Sequence, residues 1–239
     1  MHMIQKKHAL LLLCALLSLG VYSGVGAQAA SVRTTPETTL FIDPGHGGED
    51  GGAVAVSGTP ESRINLDIAL RTDQLCGFLG IRTVLLRSED VSLADESAST
   101  LREKKRSDLK NRAALVNQTP GARLLSIHQN FFESASPHGA QSFYHNDETS
   151  MAWAQALQES LRTHLDPSNT RTAVEVPKHV YLMRHVEGPA VLVECGFLSN
   201  PEEDAKLESP SYQKQLAAVL AVSCLEQGNP PNMIQEKPE

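Results

Sequence analysis

The sequence is poor in the features that mark most specialised classes. It has no basic excess: the formal net charge is −7 at pH 7, so the chain-wide footprint of a nucleic-acid binder is absent and no nucleic-acid partner is expected. The single basic run, Arg102-Glu103-Lys104-Lys105-Arg106, reads as a solvated segment ahead of a helix. Cysteine is scarce. Beyond the N-terminal apolar stretch only Cys76, Cys195 and Cys224 occur, and an odd number argues against a disulfide framework. Their apolar neighbours suit buried free thiols, although the sequence leaves a Cys76–Cys224 bridge open. No H-E-x-x-H metal motif is present. The glycine-rich stretch after residue 43 lacks both the Walker lysine pattern and the G-x-G-x-x-G order. There is no internal repeat.

What is present suits one globular domain with extras. The 239 residues are 41% hydrophobic and 21% charged, enough for a substantial core. At the N-terminus Lys6 and Lys7 precede an apolar run from 9 to 19, then small residues and an Ala27-Gln28-Ala29 site. This is the layout of a secretory signal peptide. The apolar run also stretches toward Val25, which suits an uncleaved anchor. Residues 1–29 are therefore expected to be a signal peptide or membrane anchor. Residues 30–37 read as a linker, 38–227 as a catalytic-sized domain and 228–239 as a disordered tail. The body of the chain is expected outside the cytoplasmic membrane, touching it only through the N-terminal segment.

Along the domain, strand and helix signals alternate. A β-rich run at 39–43 leads into a long glycine-rich loop. Thr59 reads as an N-cap and Pro60 as the first residue of a helix, with apolar residues at 64, 68, 75 and 79 and Gly80 as its stop. Further strands are expected at 81–86, 123–128, 139–145, 180–183 and 190–195, and helices at 107–117, 150–165 and 210–225. The pattern predicts an α/β domain: a mostly parallel, mixed sheet of about six strands with helices on both faces.

Three polar residues stand where strands end: His46, His128 and Glu194. In open α/β sheets, sites form beyond the carboxyl ends of parallel strands. Glu61 falls in the first turn of the helix leaving the glycine-rich loop, on the face of Ile64 and Ile68 and four residues before Asn65. Each has an ordinary alternative. A first-turn Glu complements the helix dipole, and a lone His at a strand end is commonly structural. Glu194 stands out because an acid within the apolar run 190–193 is costly unless paired or raised in pKa. His179 and His185 flank the 180–183 run, within range of a cleft. Spacing alone makes a metal site plausible and no more.

Four segments sharpen this. They are Phe41-Ile42-Asp43-Pro44-Gly45-His46-Gly47-Gly48, Glu61-Ser62-Arg63-Ile64-Asn65-Leu66, Ser126-Ile127-His128-Gln129-Asn130 and Val193-Glu194-Cys195-Gly196-Phe197-Leu198-Ser199-Asn200. In this order and at these intervals they resemble the zinc-dependent amidase_3 family of N-acetylmuramoyl-L-alanine amidases, over residues 38–226. Gly139-Ala140-Gln141-Ser142-Phe143-Tyr144 and Val180-Tyr181-Leu182-Met183 are similar to its germination-specific, sporulation-associated branch. The resemblance implies one Zn2+ held by His46, Glu61 and His128 with a fourth position open. It implies Glu194 as the catalytic acid/base, and Asn65 and Asn130 as substrate contacts. The substrate implied is peptidoglycan, cut between N-acetylmuramic acid and L-alanine. In the sporulation branch this cut precedes muramic-δ-lactam formation in spore cortex, in the cell wall or the intermembrane space of the forespore. An accessory protein, or a deacetylase acting on the same glycan, is an expected partner. Gln129 stands where the family often has alanine, which is expected to alter the cleft wall. A zinc peptidase acting within the stem peptide and a wall-binding protein with a relict site are the competing readings.

Overall fold

The computed structural model describes residues 38–145 and 147–228. The expected signal or anchor segment and the linker lie outside the described residues. So does the expected tail, apart from Gly228, which ends the last helix.

The strands are β1 (Thr39–Pro44), β2 (Thr83–Leu85), β3 (Ala122–Asn130), β4 (Gln141–Tyr144), β5 (Val174–Glu175) and β6 (Ala190–Phe197). The helices are α1 (Glu61–Phe78), α2 (Leu101–Asn117), α3 (Glu148–His164), α4 (Tyr181–His185), α5 (Pro201–Glu208) and α6 (Pro210–Gly228). The strands form one sheet in the order β2-β1-β3-β6-β4-β5. β2, β1, β3 and β6 are mutually parallel, β4 runs antiparallel to β6, and β5 follows β4 in parallel. This is the mixed six-stranded α/β sheet that the alternating pattern predicts.

The two-residue period of the strands divides the core. Leu40, Ile42, Leu125, Ile127, Val191 and Val193 face one side, where α1, α3 and α6 pack. Phe41, Leu124, Ala190 and Leu192 face the other, where α2 and α4 pack. Asp43, Ser126, His128 and Glu194 continue this second set past the point where apolar packing ends. In register, Asp43 lies beside Ser126 and His128 beside Glu194. The core of the sheet thus delivers a row of polar side chains to its carboxyl edge.

Several local expectations need correction. Helix α1 starts at Glu61, with Pro60 as its N-cap and no side-chain cap. Carbonyls of the glycine-rich loop do the capping: Glu61 N–H donates to Ala53 O and Ser62 N–H to Gly51 O. The basic run at 102–106 lies within α2 instead of ahead of it. A capping box sets the earlier start, since Glu103 N–H donates to Thr100 Oγ1 and the Glu103 carboxylate accepts from Thr100 N–H. The run 180–183 forms part of the short helix α4, not a strand, because a brief apolar run fits either period. β5 and α5 were not expected. All three cysteines of the domain are buried free thiols.

Leu125 sits at the centre of β3 with 0% exposure. Leu125→Ala is expected to lower unfolding free energy by roughly 2–5 kcal/mol. Urea denaturation should show a lower midpoint at an unchanged m-value.

Candidate metal centre

His46 leaves β1 with φ +61°, a left-handed conformation for a residue bearing a Cβ. Such a conformation costs about 1–3 kcal/mol and persists where the surroundings over-determine it. Here they do. Gly45 before it packs against His128: a Cβ on Gly45 would lie 2.2 Å from His128 Cε1. Gly52, also left-handed, leaves room for Glu61 and His46, whose atoms would come within 2.8 Å of an added Cβ. The glycines of this loop therefore let backbone lie directly on the side chains of the site.

The loop, the start of α1 and the end of β3 bring three ligand-type residues together. Glu61 Oε2 lies 3.3 Å from His46 Nε2, and Glu61 Oε1 lies 3.0 Å from His128 Nδ1. The imidazole rings meet edge to face at 5.0 Å between centroids. One ligand atom from each of His46, Glu61 and His128 falls within 4.8 Å of the others. Asp50 adds a carboxylate oxygen 3.0 Å from His46 Nδ1, near enough for ion pairing but not aligned as a hydrogen bond.

Glu61 is buried and fully engaged. Its carboxylate accepts from Ala53 N–H at 3.0 Å, Gln129 N–H at 3.1 Å and Asn65 Nδ2 at 3.1 Å. Burial pushes its pKa up, but the two imidazoles outweigh that and hold it far below the usual carboxylate range. Burial opposes a charged His46, yet the Asp50 and Glu61 carboxylates lift it to about 9. His128 is raised against burial by Glu61 in the same way. Two rings around an anionic carboxylate thus favour a cation: protons fill that role in the metal-free site, and a metal ion fits the same donor set. Two imidazoles and one carboxylate are the ligands of a catalytic zinc with one position open.

Glu194 stands beside His128 in register. Its Oε2 is enclosed and has no protein hydrogen-bond partner. Burial raises its pKa to about 7, with His128 opposing and Glu61 assisting. A cleft of about 310 Å3 opens here, lined by His46, His128 and Glu194 together with Lys105, His179 and Tyr181. His185 does not line it but stacks on Tyr181, ring centroids 3.7 Å apart.

Two expectations fail on geometry. Asn65 has 0% exposure and cannot touch substrate; its Nδ2 donates to Glu61 and to Gly45 O, so it braces the carboxylate from behind. Gln129 does not shape the cleft wall. Period two turns it to the opposite face from His128, where its Nε2 donates to Asn65 Oδ1 at 3.1 Å. Asn130 is half-buried at the end of β3, its Oδ1 accepting from Phe131 N–H. Sequence reasoning missed Asp50, Arg87 and Arg112. Asp50 had one usable signal, its four-residue spacing from His46.

An α/β domain with a metal-capable His–Glu–His cluster and a neighbouring acid of near-neutral pKa has the equipment of a hydrolase. The chain belongs to the amidase_3 family of N-acetylmuramoyl-L-alanine amidases, which matches residues 40–224. It is 36% identical over 197 residues to the germination-specific N-acetylmuramoyl-L-alanine amidase of Bacillus subtilis (strain 168), covering 80% of this chain and 82% of that protein. The CwlD amidase of Clostridioides difficile, solved in complex with the GerS lipoprotein, is similar at 35% identity and TM-score 0.76, over 80% of this chain and 98% of that one. An N-acetylmuramoyl-L-alanine amidase from Clostridium difficile 630 is similar at 29% identity and TM-score 0.69, over 79% and 95%. The protein is accordingly an enzyme that cleaves peptidoglycan.

The raised groups set a pH dependence for the metal-free protein. Glu194 rises from 4.5 to about 7, so the stability it contributes is full below 4.5 and lost as pH climbs through 7. His46 rises from 6.5 to about 9, so its contribution is full below 6.5 and lost through 9. The melting temperature in chelator is expected to fall steadily from pH 5 to pH 9. A flat or rising profile by calorimetry would contradict this charge arrangement.

Proposed function

We propose that the enzyme is zinc-dependent, that His46, Glu61 and His128 hold the ion, and that Glu194 is its catalytic acid/base. The observation carrying this reading is the juxtaposition of the His–Glu–His cluster with the unpartnered, enclosed Oε2 of Glu194. Zinc, when bound, supplies Lewis acidity at this point of the cleft, strengthening water as an acid and polarising a carbonyl.

The chain's own residues do the rest. Glu61 is pre-set by the hydrogen bonds behind it, and its two oxygens lie against His128 Nδ1 and His46 Nε2, so little reorganisation of the carboxylate is needed to hold a cation. Glu194, with a pKa near neutrality, accepts a proton from the attacking water and returns one to the departing L-alanine nitrogen. The bond cut is the amide between the lactyl carbonyl of N-acetylmuramic acid and L-alanine. Lys105, whose Nζ lies 3.1 Å from Asp50 Oδ2, and His179 line the cleft and offer positive or hydrogen-bonding groups to the carboxylates of a stem peptide.

The biological setting we infer is spore cortex maturation outside the cytoplasmic membrane, with stem peptides removed before muramic-δ-lactam forms. Similarity to a germination-specific amidase supports this reading, and the GerS-bound relative supports an accessory lipoprotein as partner. Among the described residues no helix is long and apolar enough to cross a membrane. Membrane attachment, if used, is assigned to residues 1–29.

His46→Ala is expected to lose zinc by elemental analysis while keeping its far-UV spectrum; normal metal content would remove His46 from the ligand set. Glu194→Gln is expected to keep zinc but lose about 10²–10⁴ in kcat on purified muropeptides. Mass analysis of wild-type digests should find free N-terminal L-alanine, and chelator should abolish its release. Cuts between stem-peptide residues would sink the bond assignment.

A further inference from the structure

Arg87 lies just beyond β2, is only 3% exposed, and plays no part in the chemistry described above. Its guanidinium donates to four main-chain carbonyls: Nε to Pro44 O at 2.9 Å, Nη2 to Gly45 O at 3.0 Å and Ser62 O at 2.7 Å, and Nη1 to Glu89 O at 3.0 Å. Taking a cation out of water is unfavourable, and the four carbonyl oxygens offset only part of that; desolvation, with the neighbouring Arg112 charge, lowers its pKa to about 10. A side chain kept there at that cost has a geometric use.

The use is visible in the two carbonyls that Nη2 bridges. Gly45 immediately precedes His46 and Ser62 immediately follows Glu61. One nitrogen therefore ties together the backbone on either side of the His46–Glu61 contact. Gly47 closes over the same group, since a Cβ there would lie 2.9 Å from Arg87 Cδ and Nε. Arg112 shares Pro44 O with Arg87, its Nη1 donating at 3.0 Å, and takes the next outward carbonyl, His46 O, with Nη2 at 2.7 Å. Three successive carbonyls, 44 to 46, are thus held by guanidinium groups around the residue with φ +61°.

We propose that Arg87 is a positioning residue that fixes the spacing of His46 and Glu61, and thereby the geometry and affinity of the metal site. The planar fork is essential. It offers several N–H groups in fixed directions, whereas a lysine ammonium in the same volume is a compact point that cannot span Pro44, Gly45 and Ser62 together. This inference rests on the zinc-ligand reading above.

The test compares the full wild-type chain with Arg87→Lys and with Leu157→Ala, a truncation in the core on the sheet face opposite His128 and Glu194 and outside the cleft lining. Zinc affinity is measured by competition with a chromophoric chelator, the cobalt(II)-substituted absorption spectrum reports ligand geometry, and melting temperature reports stability. Arg87→Lys is expected to bind zinc ~10–100-fold more weakly, with an altered cobalt spectrum and a fall in kcat at unchanged KM. Leu157→Ala should melt lower yet bind zinc as wild type does. Wild-type zinc affinity and cobalt spectrum in Arg87→Lys, whatever its melting temperature, would overturn the proposal. If Arg87→Lys does not fold, Arg87→Gln carries the same measurements; failure of both to fold would make the role purely structural and also overturn it. A wild-type chain that binds no zinc would overturn the zinc assignment itself, and this proposal with it.

Discussion

Everything in the cleft depends on one buried carboxylate. Glu61 is where the glycine-rich loop, the start of α1 and the end of β3 meet, and its oxygens receive hydrogen bonds from Ala53 of the loop, Asn65 of α1 and Gln129 of β3. An ionised acid in that position is tolerable only because N–H groups and two imidazoles surround it. The same ring of donors fixes its orientation. Remove the carboxylate and the rings lose the anion that draws them together; remove the donors and the carboxylate would take up a proton. Site and local fold are therefore one structure at this point.

A second buried ionic group supports the first from below. Arg112, 1% exposed, lies between Asp43 at 2.6 Å and Asp108 at 2.7 Å, and reaches the carbonyl of His46. Asp43 is held below the ordinary carboxylate range: burial raises it, but Arg112, His128 and Ser126 outweigh that. Buried ion pairs are weak evidence for net stability, because desolvation offsets much of the attraction. What this one does is directional. It connects β1, β3 and α2 beneath the loop: Arg112 of α2 pairs with Asp43 of β1, which accepts from Ser126 Oγ of β3 at 2.6 Å.

Sequence pattern disclosed the parts of this arrangement that obey a local period. The apolar runs of β1, β3 and β6 place His46, His128 and Glu194 where strands end, and helical spacing turns Glu61 inward with Ile64 and Ile68. The family motifs then joined those positions into one site. Contacts without a period stayed hidden. Arg87 and Arg112 act on backbone carbonyls about forty and seventy positions away, which no spacing rule encodes. The resemblance implied Asn65 as a substrate contact, and Gln129 in place of the family's alanine implied a changed cleft wall, yet side-chain direction sends both behind Glu61. The run 180–183 was misread because four apolar residues carry too little periodicity to separate helix from strand, and α2 began early because its capping box lay within a stretch read only for charge.

The borders of the sheet carry a different consequence. β2 has three residues and β5 has two, so the outermost strands present little unpaired backbone. A foreign strand adding to either side would find few N–H and carbonyl groups in register. The domain is thus ill suited to serve as a template for intermolecular β-pairing.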